Sequence, residues 1–287
     1  MEHRLSNKIG NSLVDAALCA AIDILERELP GRSVAYYLHG SFVENADIPT
    51  SDIDLFLVAT SQFTAEEQKI VQRILRLPAF LSPFPLEIIV LEEARILQEG
   101  HFRLKAASSL LWGKDIRAAL PEQTLDQYLH TYAHFPLVYI TRMLRNIESI
   151  PSLLAYPCPD EEFFGYDQQR LPPGDVERHN IKKLVTSICW IATVLIAWRA
   201  NKMVTGKYAS TYMYRQYVGD EWTSFVEDMY ELGNRKWHYL VPDEPDERCT
   251  LRRLCAQTLA FEQHYLDQYR DYLFHEKQYE RELERSA

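Results

Sequence analysis

Strand-like runs end near residue 118 of this 287-residue chain, and everything after that point reads as helix or loop. Residues 11–29 place Leu13, Val14, Ala17, Leu18, Ala21, Ile22 and Leu25 at helical spacing, and Pro30-Gly31 ends the run. "SVAYYLHG" (33–40) and "DIDLFLVA" (52–59) predict strands. "AEEQKIVQRILRL" (65–77) predicts an amphipathic helix with acids in its first turn, where the helix dipole favours them. After a break at Pro78, Pro83 and Pro85, "LEIIVLEE" (86–93) predicts a third strand. Helix, strand, strand, helix, strand describes a small α/β domain. Residues 122–150, 180–202, 208–233 and 250–285 then read as helices, separated by acidic, proline-containing breaks at 156–175 and 240–247. The expectation is an α/β domain over 1–118, a small mixed sheet with helices, followed by an all-α helical bundle over 119–287.

Composition narrows the partners. A net charge of −10 argues against a broad nucleic-acid surface and favours cationic or metal-bound ligands. The five cysteines, Cys19, Cys158, Cys189, Cys249 and Cys255, are scattered and form no C-x-x-C pair, so neither a zinc site nor a disulfide framework is expected. A reducing, cytoplasmic setting fits. The first residues lack the apolar stretch of a signal peptide. The most apolar run, Leu184 to Trp198, includes Thr186, Ser187 and Thr193 and falls short of a bilayer span, so it reads as a buried helix with no membrane partner.

The chemistry concentrates in "HGSFVENADIPTSDIDLFLV" (39–58). Side chains alternate along a strand, so Asp52 and Asp54 share one face. Two adjacent carboxylates repel unless a cation joins them, and Mg²⁺ is the simplest ion that takes oxygen ligands and also binds phosphates. Gly40 permits a tight turn, and backbone N–H groups there, with the Ser41 hydroxyl, suit phosphate oxygens. A third carboxylate, Glu87, stands in the apolar "PLEIIVL" and joins the pair if the two strands are neighbours. "HTYAH" (130–134) lacks the glutamate of a metalloprotease helix, and "TGKY" (205–208) lacks the upstream glycine of a P-loop, so both are set aside.

Gly-Ser, a spacer, Asp-x-Asp in a strand and an acid on a later strand together resemble the nucleotidyltransferase superfamily that includes polymerase β. Within it the layout is similar to aminoglycoside nucleotidyltransferases of the streptomycin/spectinomycin adenylyltransferase type, which join such a domain to a helical one. "LLWGKDIRAALPEQTL" resembles the segment that leaves their first domain. "GDVERHN" (174–180) resembles the segment whose acid and amide meet the acceptor, which implies that Glu177 and Asn180 bind substrate. "NKMVTGKYAS" (201–210) resembles the segment with a lysine for the ATP phosphates; Lys207 matches best, with Lys202 as its rival. The family's substrate tryptophans have no clear counterpart, and Tyr166 or Trp112 stands in.

The resemblance implies transfer of AMP from ATP to a hydroxyl of a small cationic acceptor such as an aminoglycoside, an antibiotic-resistance activity, with pyrophosphate released. Asp52 and Asp54 would hold one or two Mg²⁺ ions, with Glu87 beside them as ligand and general base; Gly40, Ser41, Ser51 and Lys207 would contact the triphosphate. The alternative is a minimal-nucleotidyltransferase-type module that binds or AMP-modifies a protein partner. The long fused helical region disfavours it.

Overall fold

In the computed structural model, which describes residues 5–76, 85–169 and 178–286, the chain divides into two units, Met1–Thr124 and Leu125–Ala287. The division falls past residue 118 because the segment leaving the last strand still packs on the first unit's sheet. Ile116 and Leu120 are buried there, and Lys105 Nζ donates to the Leu120 carbonyl at 2.6 Å.

The first unit opens with helix α1 (Ser12–Glu28). Asn11 caps it, its side chain accepting from the N–H groups of Leu13 and Val14. Four strands follow: β1 (Ser33–His39), β2 (Ile53–Ala59), β3 (Leu86–Glu92) and β4 (Ser108–Gly113). They lie in the order β3-β2-β1-β4. β1 is antiparallel to both β2 and β4, whereas β2 and β3 are parallel, so the sheet is mixed. The parallel step needs a crossover, and helix α2 (Ala65–Arg76) lies within it. The proline break at Pro78 and Pro83 lies outside the described residues.

β4 was not foreseen. It takes in the start of the "LLWGKDIRAALPEQTL" segment and pairs along β1, Leu110 with Tyr37 and Ser109 with Leu38. Only Leu110, Leu111 and Trp112 are apolar in it, and so short an edge strand gives no alternation to read.

The pleat sorts β2 into two faces. Leu55 and Leu57, with Tyr36, Leu38, Ile88 and Leu111, pack under α1 and Val71 of α2. Phe56 and Val58, with Ala35 and Tyr37, pack against Ile96, Leu104, Ile116 and Leu120. Asp54 has the parity of Phe56 and Val58, so it stands at the end of that second face.

The second unit is helical. Its elements are Leu125–Tyr132, Phe135–Val138 continuing into a π-helical turn at Tyr139–Arg145, Lys182–Ala200, Lys207–Tyr217, Thr223–Tyr230 continuing into a π-helical turn at Glu231–Lys236, and Pro245–Ser286. A two-residue antiparallel ladder pairs Gln168–Gln169 with Arg178–His179, too short for any sequence pattern to announce. Lys182–Ala200 is long and apolar enough to suit a bilayer by composition, but 72% of that stretch is buried inside the protein, as befits a central core helix.

One buried ion pair anchors this unit. Arg145 reaches Glu262 at 2.5 Å, and the Tyr166 hydroxyl donates to the same carboxylate at 2.8 Å. Burial pushes the Glu262 carboxyl up, while Arg145 and Tyr166 oppose that rise. Tyr166 is thus fully buried and engaged in this network, which corrects its reading as an aromatic surface for an acceptor. Trp112 likewise packs beside Tyr36, with the first face of the sheet.

Candidate active site

β-sheet register brings the three acids together. Asp54 lies opposite His39 of β1 on one side and opposite Glu87 of β3 on the other. Asp52 stands two residues earlier, immediately before β2 begins. One carboxylate oxygen from each of Asp52, Asp54 and Glu87 falls within 4.8 Å of the others. Among the described residues this is the one such group of three or more metal-type ligands. The aspartates are half-buried and Glu87 is exposed.

The donor set fits Mg²⁺. The ligands are all carboxylate oxygens, which a small hard cation prefers to nitrogen or sulfur. An octahedral ion with ligands at about 2.1 Å holds neighbouring oxygens about 3 Å apart and opposite ones about 4 Å apart. Three oxygens within 4.8 Å of each other are already close to that spread. Three like charges so near one another need a cation to stay ionised together.

The turn after β1 is built around this cluster. Gly40 adopts φ 75° at the start of a 3-10 turn, Gly40–Phe42. A Cβ at Gly40 would sit 2.3 Å from Oδ2 of Asp54, so both backbone conformation and space require glycine. The Gly40 carbonyl accepts from Val43 and Glu44 N–H at 3.1 Å each, and the Ser41 carbonyl accepts from Ala46 N–H at 2.9 Å. Ser41 is half-buried next to Gly40.

Ser51 fixes the entry to β2. It is 4% exposed; its hydroxyl accepts from Ile48 N–H at 2.9 Å and its own N–H donates to the Ile48 carbonyl at 2.9 Å. That closed turn sets where Asp52 enters the strand.

Two histidines missed by sequence reasoning flank the Phe56 ring, and one of them, His39, pairs opposite Asp54. His39 stacks on Phe56 at 3.8 Å, and His101 meets the same ring edge-on at 5.1 Å. Burial pushes the His39 imidazole down to about 3, helped by Arg103 and His101 and opposed by Asp52. Burial, then Arg103, pushes His101 down to about 4. Both rings are therefore neutral at physiological pH and add no positive charge beside the carboxylates. The β1–β2 register sets His39 opposite Asp54, and an imidazole in an apolar run carries no sequence signature of that pairing.

In the second unit, Asn180 donates its backbone N–H to the Asp167 carbonyl at 2.8 Å, and its side-chain oxygen accepts from Lys182 N–H at 3.1 Å. This is an Asx-type turn one residue before Ile181, the N-cap of the Lys182–Ala200 helix. Glu177 lies outside the described residues. Lys207 opens the Lys207–Tyr217 helix and donates to the Tyr239 hydroxyl at 3.2 Å. Lys202 is exposed, with its ammonium 5.7 Å from the Tyr217 ring centroid.

Residues 18–108 match the family model described as "Nucleotidyltransferase domain". The match runs from within α1 to the start of β4 and contains Gly40, Asp52, Asp54 and Glu87. No curated protein matches the chain. Among solved structures, the chain is similar to spectinomycin adenyltransferase AAD(9) from Enterococcus faecialis, solved with ATP and spectinomycin. The TM-score is 0.52 at 12% identity, over 86% of this chain and 98% of that one. At that identity the likeness is one of fold. Residues 18–108 thus match a nucleotidyltransferase domain, and the fold is similar to that of spectinomycin adenyltransferase AAD(9).

Proposed function

We propose that this nucleotidyltransferase-domain protein transfers AMP from ATP to a hydroxyl of a small cationic acceptor, an aminoglycoside or similar amino sugar, and releases pyrophosphate. The observation that carries this reading is the convergence of Asp52, Asp54 and Glu87 within 4.8 Å beside the Gly40 turn, inside a nucleotidyltransferase domain. AAD(9), similar in fold, was solved with ATP and spectinomycin, which guides the choice of nucleotide and acceptor. The net charge of −10 favours a cationic acceptor.

Asp52 and Asp54 are the residues that would hold Mg²⁺, with Glu87 completing the set. When bound there, Mg²⁺ would supply positive charge to offset that of the phosphates. Gly40, whose lack of a side chain lets its turn lie against Asp54, is assigned with Ser41 and Ser51 to the triphosphate oxygens. Glu87 takes the proton from the acceptor hydroxyl. The acceptor oxygen then bonds to the α-phosphorus. The bond from that phosphorus to the bridging oxygen breaks, and the bridging oxygen leaves with its electron pair on pyrophosphate. From the helical unit, Lys207 is assigned to the phosphates and Asn180, with Glu177, to the acceptor.

Calorimetry with ATP tests the assignment, with and without Mg²⁺. Binding that requires Mg²⁺ and disappears in Asp54→Asn supports it. Equal ATP affinity in wild type and Asp54→Asn removes the metal role.

A further inference from the structure

His238 and Tyr239 both have positive φ, 50° and 66°. Residues with a Cβ visit that region as isolated cases, because the Cβ crowds the carbonyl, so two in succession are costly. The surrounding structure holds them there. Tyr239 N–H donates to the Gly233 carbonyl at 2.7 Å, and its own carbonyl accepts from Ile181 N–H at 2.8 Å. The Tyr239 hydroxyl accepts from Asn234 Nδ2 at 2.7 Å. The tyrosine is 4% exposed.

This strain delivers one ring to two lysines. The Lys207 ammonium donates to the Tyr239 hydroxyl at 3.2 Å and lies 5.5 Å from the ring centroid. The Lys182 ammonium lies 5.9 Å from the same centroid. Each lysine opens a helix, where the peptide dipole disfavours a positive charge. A strained backbone, a buried phenol and two cations at helix starts all run against stability. Such agreement among unfavourable choices marks a place held for placement of charge.

We propose that Tyr239 is the positioning residue for Lys207. Its hydroxyl, fixed by Asn234, and its ring face hold the ammonium at one place and so prepare it for a phosphate. This rests on Lys207 being the phosphate-binding lysine. Without the hydroxyl the flexible side chain regains its rotamers, and the phosphate contact must order it again.

The test is a double-mutant cycle on the full chain, with Mg²⁺·ATP as the probe and calorimetry as the readout. Lys207→Ala is expected to weaken binding roughly ten- to a hundredfold, as for a lost charge-assisted contact. Tyr239→Phe is expected to weaken it about three- to tenfold, as for a single lost hydrogen bond. In the Lys207→Ala background, Tyr239→Phe should then do nothing more. A purely structural tyrosine would lower thermal stability and leave binding alone, or would act equally in both backgrounds; either result overturns the inference. Unchanged binding in Lys207→Ala overturns the lysine assignment and the positioning role with it, and loss of binding in Asp54→Asn alongside keeps the metal site standing. If Tyr239→Phe does not fold, Asn234→Ala removes the hydroxyl's other partner and runs through the same cycle with the same outcomes.

Discussion

Gly40 and Asp54 leave no space between them for a methyl group: a Cβ on Gly40 would lie 2.3 Å from the Asp54 Oδ2. The glycine also carries φ 75°, where any other side chain is strained. Gly40→Ala should therefore displace the Asp54 carboxylate. The backbone term costs about 1–2 kcal/mol. The expected outcome is a protein that still melts cooperatively, a few degrees lower, with Mg²⁺-dependent ATP binding lost. Calorimetry and thermal melts check both parts, and normal ATP binding in Gly40→Ala would show that the turn tolerates a side chain.

Asp52 and Asp54 carry like charges close together, with Glu87 beside them. Relieving one charge should remove repulsion in the metal-free protein. Asp52→Asn and Asp54→Asn are expected to keep or raise the melting temperature without Mg²⁺. Added Mg²⁺ should stabilise the wild type and neither variant. Melts with and without the ion measure this, and an equal Mg²⁺ response in all three proteins would place the ion elsewhere.

Glu87 is the exposed member of the trio, on the strand beside Asp54. Exposure suits a base that must meet an acceptor. Glu87→Gln should leave Mg²⁺·ATP binding near normal and lower turnover roughly 10²–10⁴-fold. If ATP binding weakens instead and added Mg²⁺ restores the rate, Glu87 acts as ligand alone.

His101 predicts a pH dependence of stability. Its Nδ1 accepts from Leu104 N–H at 3.1 Å and so caps the Phe102–Ala106 helix, a role only the unprotonated nitrogen can fill. Its folded value, about 4, lies below the ordinary 6.5. As pH falls, the unfolded chain takes up the proton first, so this contribution is complete above about 6.5 and is lost on the way down to about 4. His39, pushed down to about 3, acts in the same direction. Between pH 7 and 5 the wild type should lose about 1–2 kcal/mol through His101. His101→Asn keeps a capping oxygen and removes the titration, so its stability should fall less over that range. Parallel slopes in urea unfolding at the two pH values would rule this out.

The carboxylate trio was legible in the sequence because charges interrupt apolar strands there. Parity alone put Asp52 and Asp54 on one face, and the parallel pairing of β2 with β3 then set Glu87 beside Asp54. β4 was hidden because three apolar residues at a sheet edge make no pattern. The stack of His39, Phe56 and His101 was hidden because it forms only when β1, β2 and the segment before β4 meet. The Tyr239 loop was hidden for another reason. Left-handed backbone at His and Tyr carries no sequence mark of the kind that glycine leaves at Gly40. Tyr166 was misread because burial depends on Arg145 and Glu262, which lie far from it in the chain.

The central claim is that this site moves a nucleotidyl group onto a small molecule. Its most direct test is mass spectrometry of the protein incubated with Mg²⁺, each nucleoside triphosphate in turn, and a panel of aminoglycosides with spectinomycin. The account predicts an acceptor heavier by one nucleotidyl group, AMP when ATP is supplied. One pyrophosphate should form per product, and neither should appear with Asp54→Asn. Label found only on protein, or small-molecule product undiminished in Asp54→Asn, would contradict it.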